Sequence, residues 1–166
     1  MNSRSNTRIE CDKAVLEFSK VINQKSGRLL YVGIAGDPPG GEYSPLFQNY
    51  NITTFDKDPK WNPDLVGDIC YPEFPPNYWD AIICVQVLEH LPKIFRLPKA
   101  LWVITKLGGY VIIDCPWNYP YHAEPPSFKD YWRISKDGLE ELFNPWFKIV
   151  QIKAGENNTS CLLEKS

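Results

Sequence analysis

Apolar positions along this chain recur in two rhythms. Cys11, Ala14, Val15, Phe18, Val21 and Ile22 return every three or four residues, the stripe of a helix lying on a core. Gly27 stands where that helix would stop. Beyond it the pattern changes to short continuous apolar runs at 29–32 and 81–85, with a further strand read over 52–55. Such runs predict strands covered on both faces, as in the middle of a parallel sheet. Residues 64–68 predict a short third edge strand, and 43–48 at most a short helix. Leu97, Leu101 and Ile104 mark one side of a further helix, with Pro98 tolerated in its first turn. Gly108-Gly109 ends that helix and opens a fifth strand over 110–115. Ser135 is the N-cap expected for a helix through Leu139 and Leu142. Two final strands, 146–152 and 160–163, flank a turn at 154–158. Strands alternating with helices predict an α/β fold, a doubly wound, mostly parallel sheet of seven strands with an antiparallel C-terminal edge strand. Residues 1–7 are polar and predict a disordered tail, leaving 8–166 as one domain without internal repeats.

Composition narrows the functional classes. Of 166 residues, 43% are hydrophobic and 23% charged, proportions that suit a globular domain. A formal net charge of -2 gives no electrostatic reason to expect nucleic acid or an anionic membrane as partner. No apolar run has signal-peptide character or the length to span a bilayer. Five scattered cysteines without a C-x-x-C pair predict reduced thiols and a cytoplasmic setting. With His90 and His122 the only histidines, no metal site is expected. Six Trp, nine Tyr and eight Phe accompany fifteen Pro, and much of this excess falls in 71–79 and 117–132. Proline-rich stretches of that kind are loops, and loops carrying large aromatics make binding surfaces.

The first candidate chemistry lies directly after the first strand, in Gly33-Ile34-Ala35-Gly36, with Asp56 twenty residues behind Gly36 at the tip of the second strand. Glycine permits a sharp turn and lets a ligand approach the main chain. An acid at the next strand tip can accept hydrogen bonds from both hydroxyls of a ribose. Together they describe a nucleoside-bearing cofactor across the strand ends; alone, the two glycines also suit an ordinary tight turn.

Further segments carry a resemblance. Trp79-Asp80-Ala81-Ile82-Ile83-Cys84-Val85-Gln86-Val87-Leu88-Glu89-His90 resembles the fourth-strand signature of class I S-adenosylmethionine-dependent methyltransferases. Lys106-Leu107-Gly108-Gly109-Tyr110 resembles their turn into strand five, and Pro63-Asp64-Leu65-Val66-Gly67-Asp68-Ile69 the stretch that sets an acid beside adenine. His122, Pro125 or Pro126, then Asp130-Tyr131-Trp132-Arg133-Ile134 and Gly138-Leu139 are similar to a subgroup associated with methylating sugars and polysaccharides. The resemblance spans residue 29 to the C-terminus and implies S-adenosyl-L-methionine as cofactor and a sugar, glycan or small-molecule acceptor.

Carried over residue by residue, the resemblance implies roles for particular side chains. Asp56, with Lys57 after it, would take the ribose; Asp68 and the Ile69 amide the adenine edge; Gly33 and Gly36, with Ala35 between, the methionine backbone. Val85 and Gln86 would line the sulfonium side. His122 is the first candidate for a base, with His90 and Asp130 as further catalytic candidates. Trp117, Tyr121, Tyr131, Trp132 and Arg133 are the expected substrate contacts, although Asp130 and Arg133 could instead pair and pin their loop. Two positions depart from the family: Tyr31 stands where it usually carries an acid, and Ala35 where it carries a second glycine. Either Asp37 supplies the carboxylate from a shifted position, or that anchor is missing.

Other classes stay open. Asp114-Cys115-Pro116-Trp117 nearly matches the Asp-Pro-Pro-Trp motif of amino-group methyltransferases acting on adenine, but follows strand five rather than four. N-methylation of a nucleic acid or small metabolite, a degenerate cofactor-binding or interaction domain, and a dinucleotide-binding oxidoreductase are the alternatives. A second copy or a neighbouring domain could complete so bare a core.

Overall fold

A computed structural model describes residues 5–38 and 41–166. Its strands are β1 Gly27–Val32, β2 Tyr50–Asp56, β3 Leu65–Val66, β4 Trp79–Val85, β5 Thr105–Pro116, β6 Lys148–Ala154 and β7 Asn158–Glu164. They join in a seven-stranded sheet of order β3-β2-β1-β4-β5-β7-β6. Strands β1 to β5 run parallel, while β7 runs antiparallel to both β5 and β6. The expected closing hairpin is present, with its antiparallel strand one place in from the edge and β6 outermost.

Helix α1, Asn6–Ile22, covers one face of the sheet, and α2, Leu97–Ile104, with α3, Lys136–Phe143, covers the other. Cys11, Val15, Phe18 and Ile22 of α1 are fully buried against Leu29, Tyr31, Ile83 and Ile112. Burying Val15, Phe18 and Ile22 stabilises this contact by on the order of 6 kcal/mol, at about 2 kcal/mol for each large side chain.

The helix starts earlier than the polar tail suggested. Ser5 caps it, its side chain accepting from the Arg8 amide at 3.2 Å. Thr7 is buried, and its carbonyl accepts from Asn158 Nδ2 at 2.9 Å. The expected tail is therefore corrected at residues 5–7; residues 1–4 lie outside the described residues. Strand β5 also begins earlier, at Thr105, because Gly108 and Gly109 are absorbed into it. The β4–β5 register shifts between Trp79 and Ala81, Gly108 takes a φ of +71°, and a Cβ on Gly109 would lie 3.0 Å from the Asp80 carbonyl. The two glycines make an irregularity inside a strand rather than its start.

From β1 the chain moves outward to β2 and β3, and from β4 the opposite way to β5. Adjacent β1 and β4 thus diverge at their C-terminal ends, which is the switch point where open α/β sheets bind ligands. Among the described residues no α-helix lies between β1 and β4, and a 3-10 turn at Ser44–Leu46 stands in the first crossover. No helix among the described residues is long and apolar enough to cross a membrane.

Candidate active site

A cavity of about 460 Å³ opens at this switch point, within the size range of small-molecule sites. Its floor is the turn after β1. The Gly33 amide donates to the Phe55 carbonyl at 2.9 Å, and its φ of +78° is a left-handed conformation that suits glycine. A Cβ there would sit 2.3 Å from Val87 Cγ2, so this turn and the loop after β4 pack with no room between them. Asp56 stands across the turn. Its Oδ2 accepts from the Ile34 amide and its Oδ1 from the Asp58 amide, both at 2.9 Å. Each oxygen retains acceptor capacity, so backbone donors orient the carboxylate without saturating it. One strand further out, Asp68 Oδ1 accepts from the Cys70 amide at 2.9 Å, setting Ile69 on the cavity wall.

A carboxylate stands beside position 31, that of Asp37. Tyr31 is buried, and its hydroxyl donates to Asp37 Oδ2 at 2.7 Å. The Glu42 amide donates to the same oxygen at 3.2 Å, and Arg8 Nη2 reaches Asp37 Oδ1 at 3.3 Å while also pairing with Glu42. Burial and the neighbouring Asp37 charge raise the Tyr31 pKa, so this hydroxyl stays a donor. Tyr31, Asp37 and Arg8 all line the cavity.

The far wall is built by the loop joining β5 to α3. Arg133 holds that loop closed. Its guanidinium donates to both Asp130 oxygens at 2.6 and 2.7 Å and to the Tyr119 and Pro120 carbonyls at 2.7 Å. This fork keeps the Asp130 carboxyl down at about 2. Tyr131 and Trp132 tie the loop to the segment after β4, the Tyr131 amide donating to the Glu89 carbonyl at 2.7 Å and Trp132 Nε1 to the Leu91 carbonyl at 2.8 Å.

The latch brings the two histidines together, with ring centroids 5.0 Å apart. His90 Nδ1 lies 2.7 Å from the Lys129 carbonyl, which can only accept, so that nitrogen carries the proton. His122 Nδ1 lies 3.1 Å from Asp130 Oδ2; Arg133 Nη2 is further away, at 3.4 Å. His122 Nδ1 therefore faces the carboxylate, and His90, whose imidazolium is disfavoured by burial, keeps a lone pair at Nε2. Glu89 completes the corner. It is fully buried, neither carboxyl oxygen has a hydrogen-bond partner among the described residues, and Oε1 is 3.7 Å from His90 Nε2. Burial pushes the Glu89 carboxyl up to about 8 and the His90 imidazolium down.

The cavity thus gathers most of the cofactor residues expected from sequence: Gly33, Ala35, Asp37, Asp56, Lys57 and Asp68, then Ile69, Val85 and Gln86. Of the residues expected to be catalytic or to meet a substrate it takes in His90, His122 and Tyr131. Gly36 does not line it; with a φ of +76° and open space around its Cβ position, it serves the turn. Asp130 and Arg133 are latch residues, their polar atoms engaged with each other and with loop carbonyls. Trp117 points away, its Nε1 donating to the Gly155 carbonyl at 3.0 Å, and Tyr121 is 76% exposed outside the cavity. Trp132 is occupied in tying the loop down and lies outside the lining.

Asp114 of the near-match to an adenine-methylating motif is fully buried and accepts from Asn158 Nδ2 at 2.9 Å and from Gln86 and Ser160. It faces the hairpin rather than a substrate. Sequence reasoning missed Arg8, Trp61 and Glu89, all on the cavity wall. Glu89 lay within a quoted motif, but nothing in the sequence marks its carboxylate as buried and unpartnered.

No sequence-family model matches this chain, and no curated protein matches it in sequence. Its fold matches many solved structures. An S-adenosylmethionine-dependent methyltransferase from Archaeoglobus fulgidus superposes with a TM-score of 0.71 and 15% identity, covering 94% of this chain and 94% of that one. The N-methyltransferase NodS from Bradyrhizobium japonicum WM9, solved with S-adenosylhomocysteine, gives 0.70 and 11% over 98% of this chain and 89% of its own. The cyclase SpnF gives 0.68 and 12% over 92% of this chain and 81% of its own. Identities at this level establish architecture and leave chemistry to the site. The chain has the Rossmann-like fold of class I S-adenosylmethionine-dependent methyltransferases.

Proposed function

We propose that this protein is an S-adenosylmethionine-dependent methyltransferase whose acceptor is a hydroxyl of a sugar, a glycan or a similar small polyol. The observation that carries the reading is the row of Asp37, Asp56 and Asp68 in one cavity at the switch point, each oriented by backbone or tyrosine donors. Asp56 would accept from the ribose hydroxyls, and Asp68 with the Ile69 amide would meet the adenine edge. Asp37, presented by Tyr31, would take the ammonium of the methionine end. Gly33 lets the turn pack directly against Val87 at the cavity's edge, and Val85 and Gln86 would close the space next to the sulfur. When bound, the cofactor supplies a sulfonium methyl group. The chain's own contribution is to hold an acceptor oxygen in line with that group and to remove its proton.

The acceptor end is the wall of His90, His122, Phe128 and Tyr131, where aromatic faces offer the stacking surface a sugar ring uses. N-methylation of a small metabolite is the second reading, because NodS is an N-methyltransferase with this fold. Five buried free cysteines support a reducing, cytoplasmic setting.

Isothermal titration with S-adenosylhomocysteine tests the cofactor. Binding is expected, and Asp56→Ala should weaken it by about ten- to hundredfold, the worth of one or two charge-assisted hydrogen bonds. No binding, or unchanged affinity in the variant, overturns the assignment; binding of NADH instead points to an oxidoreductase. Methyl transfer from labelled cofactor to nucleotide sugars, deoxysugar glycans and small amines then separates O- from N-acceptors.

A further inference from the structure

We propose that Glu89, His90 and His122 form a binding site for a divalent first-row transition-metal ion, open toward the cavity. The three side chains offer one carboxylate oxygen and two imidazole nitrogens, all within 4.8 Å of one another. Two histidines and one carboxylate suit Mn²⁺, Fe²⁺, Co²⁺ or Zn²⁺ better than Ca²⁺ or Mg²⁺, which prefer oxygen cages. Ligands on one such ion stand about 3 to 3.5 Å apart, given metal–ligand distances near 2.1 Å. Glu89 Oε1 and His90 Nε2, at 3.7 Å, are nearly there, and turning the Glu89 carboxylate, the one ligand with no hydrogen-bond partner among the described residues, would close the set further.

Two further observations point to a cation. Each ring is held from behind at Nδ1, His90 by the Lys129 carbonyl and His122 by Asp130, which the Arg133 fork fixes in turn. That arrangement leaves Nε2 of each ring as the nitrogen not held from behind, His90's lying toward Glu89, and is the outer shell that metal-bound histidines carry. Glu89 is the second. A fully buried carboxyl group with both oxygens unpartnered is costly to the fold unless something compensates it. A divalent ion would provide that compensation; Arg133, the one cationic side chain that favours the Glu89 charge, has its guanidinium engaged by Asp130 and loop carbonyls.

The role of the ion rests on the methyl-transfer reading; its binding does not. An ion here would lower the pKa of an acceptor hydroxyl on its open side, the proton passing to solvent while the electron pair stays on oxygen. His122 then serves as a ligand rather than as a base.

The test begins with chelator-stripped protein, titrated calorimetrically with MnCl2, CoCl2 and ZnCl2 in the absence of cofactor. One ion per chain is expected, and the Co²⁺ complex should absorb as a nitrogen- and oxygen-ligated centre without the intense near-ultraviolet band of thiolate ligation. Glu89→Gln and His122→Gln should each weaken binding at least a hundredfold, and Asp130→Asn, acting from behind His122, by about ten- to hundredfold. Circular dichroism and thermal melts confirm that each variant is folded, and the Co²⁺ spectrum of any variant that still binds reports which ligands remain. Absence of stoichiometric binding to the wild type overturns the proposal, as does affinity unchanged in both Glu89→Gln and His122→Gln. S-adenosylhomocysteine is titrated into the same stripped protein. If the nucleoside binds and none of the metal ions does, this site falls and the methyl-transfer reading stands; if a metal ion binds and the nucleoside does not, the reverse holds.

Discussion

The two glycines of the first turn should behave differently when given a side chain. Both have φ near +77°, at +78° for Gly33 and +76° for Gly36, so alanine at either meets the left-handed penalty of about 1 to 2 kcal/mol. Loss of unfolded-state freedom returns about 0.4 to 1 kcal/mol in each case. Gly36→Ala adds nothing more, since no atom of the described residues lies within 4 Å of its Cβ position. Its net cost is expected at about 1 kcal/mol. Gly33→Ala also drives a methyl group to 2.3 Å from Val87 Cγ2, more than 1 Å inside ordinary contact. Overpacking of that kind costs about 1 to 3 kcal/mol, giving about 3 kcal/mol in all.

Urea denaturation measures both values, and thermal melts should show a drop of about 6 to 12 °C for Gly33→Ala against about 2 to 4 °C for Gly36→Ala. Val87→Ala removes the clashing methyl. The double variant Gly33→Ala/Val87→Ala should therefore be more stable than the sum of its parts, by about 1 to 3 kcal/mol. Equal costs at the two glycines, or strict additivity in the cycle, would refute the packing argument. Affinity for S-adenosylhomocysteine should fall in Gly33→Ala, which lines the cavity, and stay within twofold in Gly36→Ala, which does not.

Burial pushes the Asp114 carboxyl up from 3.8 to about 6, so the folded protein holds this proton more tightly than the unfolded chain. Its contribution should therefore be greatest below pH 4 and fall by up to about 3 kcal/mol as the pH rises to 6 and beyond. The stability difference between wild type and Asp114→Asn, measured by urea denaturation across pH 3.5 to 7.5, should decline over that window, and a flat difference refutes the assignment. Arg133→Ala removes the fork that closes the loop after β5 and should cost about 2 to 3 kcal/mol, part of it from leaving the buried Asp130 carboxylate without its partner. Limited proteolysis should then cut within residues 117–134 before the domain unfolds; resistance equal to wild type would show that the loop is held otherwise.

What was legible in the sequence was whatever a short window contains. The α1 stripe and the β4 run each state their own periodicity, and Asp56 follows from its place at a strand tip two amides from Asp58. The Tyr31–Asp37 contact was also within reach, because the two lie six residues apart. Boundaries were harder. Strand β5 begins at Thr105 because its register shift absorbs two glycines, and a pair of glycines announces a break far more often than a bulge. Arg8 was invisible for a different reason: it meets Asp37 across 29 residues, and no local pattern connects an N-terminal helix to the turn after the first strand.

The histidine corner shows why the rest could not be read. Residues 117–134 have neither period 2 nor period 3.6, so sequence cannot say which of their side chains turn inward. That choice is made by hydrogen bonds to distant carbonyls, Tyr131 to Glu89 and Trp132 to Leu91. Of the expected pair, Asp130 and Arg133 proved to be the latch, and closing it seats His122 beside His90 and over a buried Glu89. Two histidines 32 positions apart in sequence argue against a metal site when spacing is all one has. Once a fork of hydrogen bonds has fixed both rings beside an unpartnered carboxyl group, the same two residues argue for one.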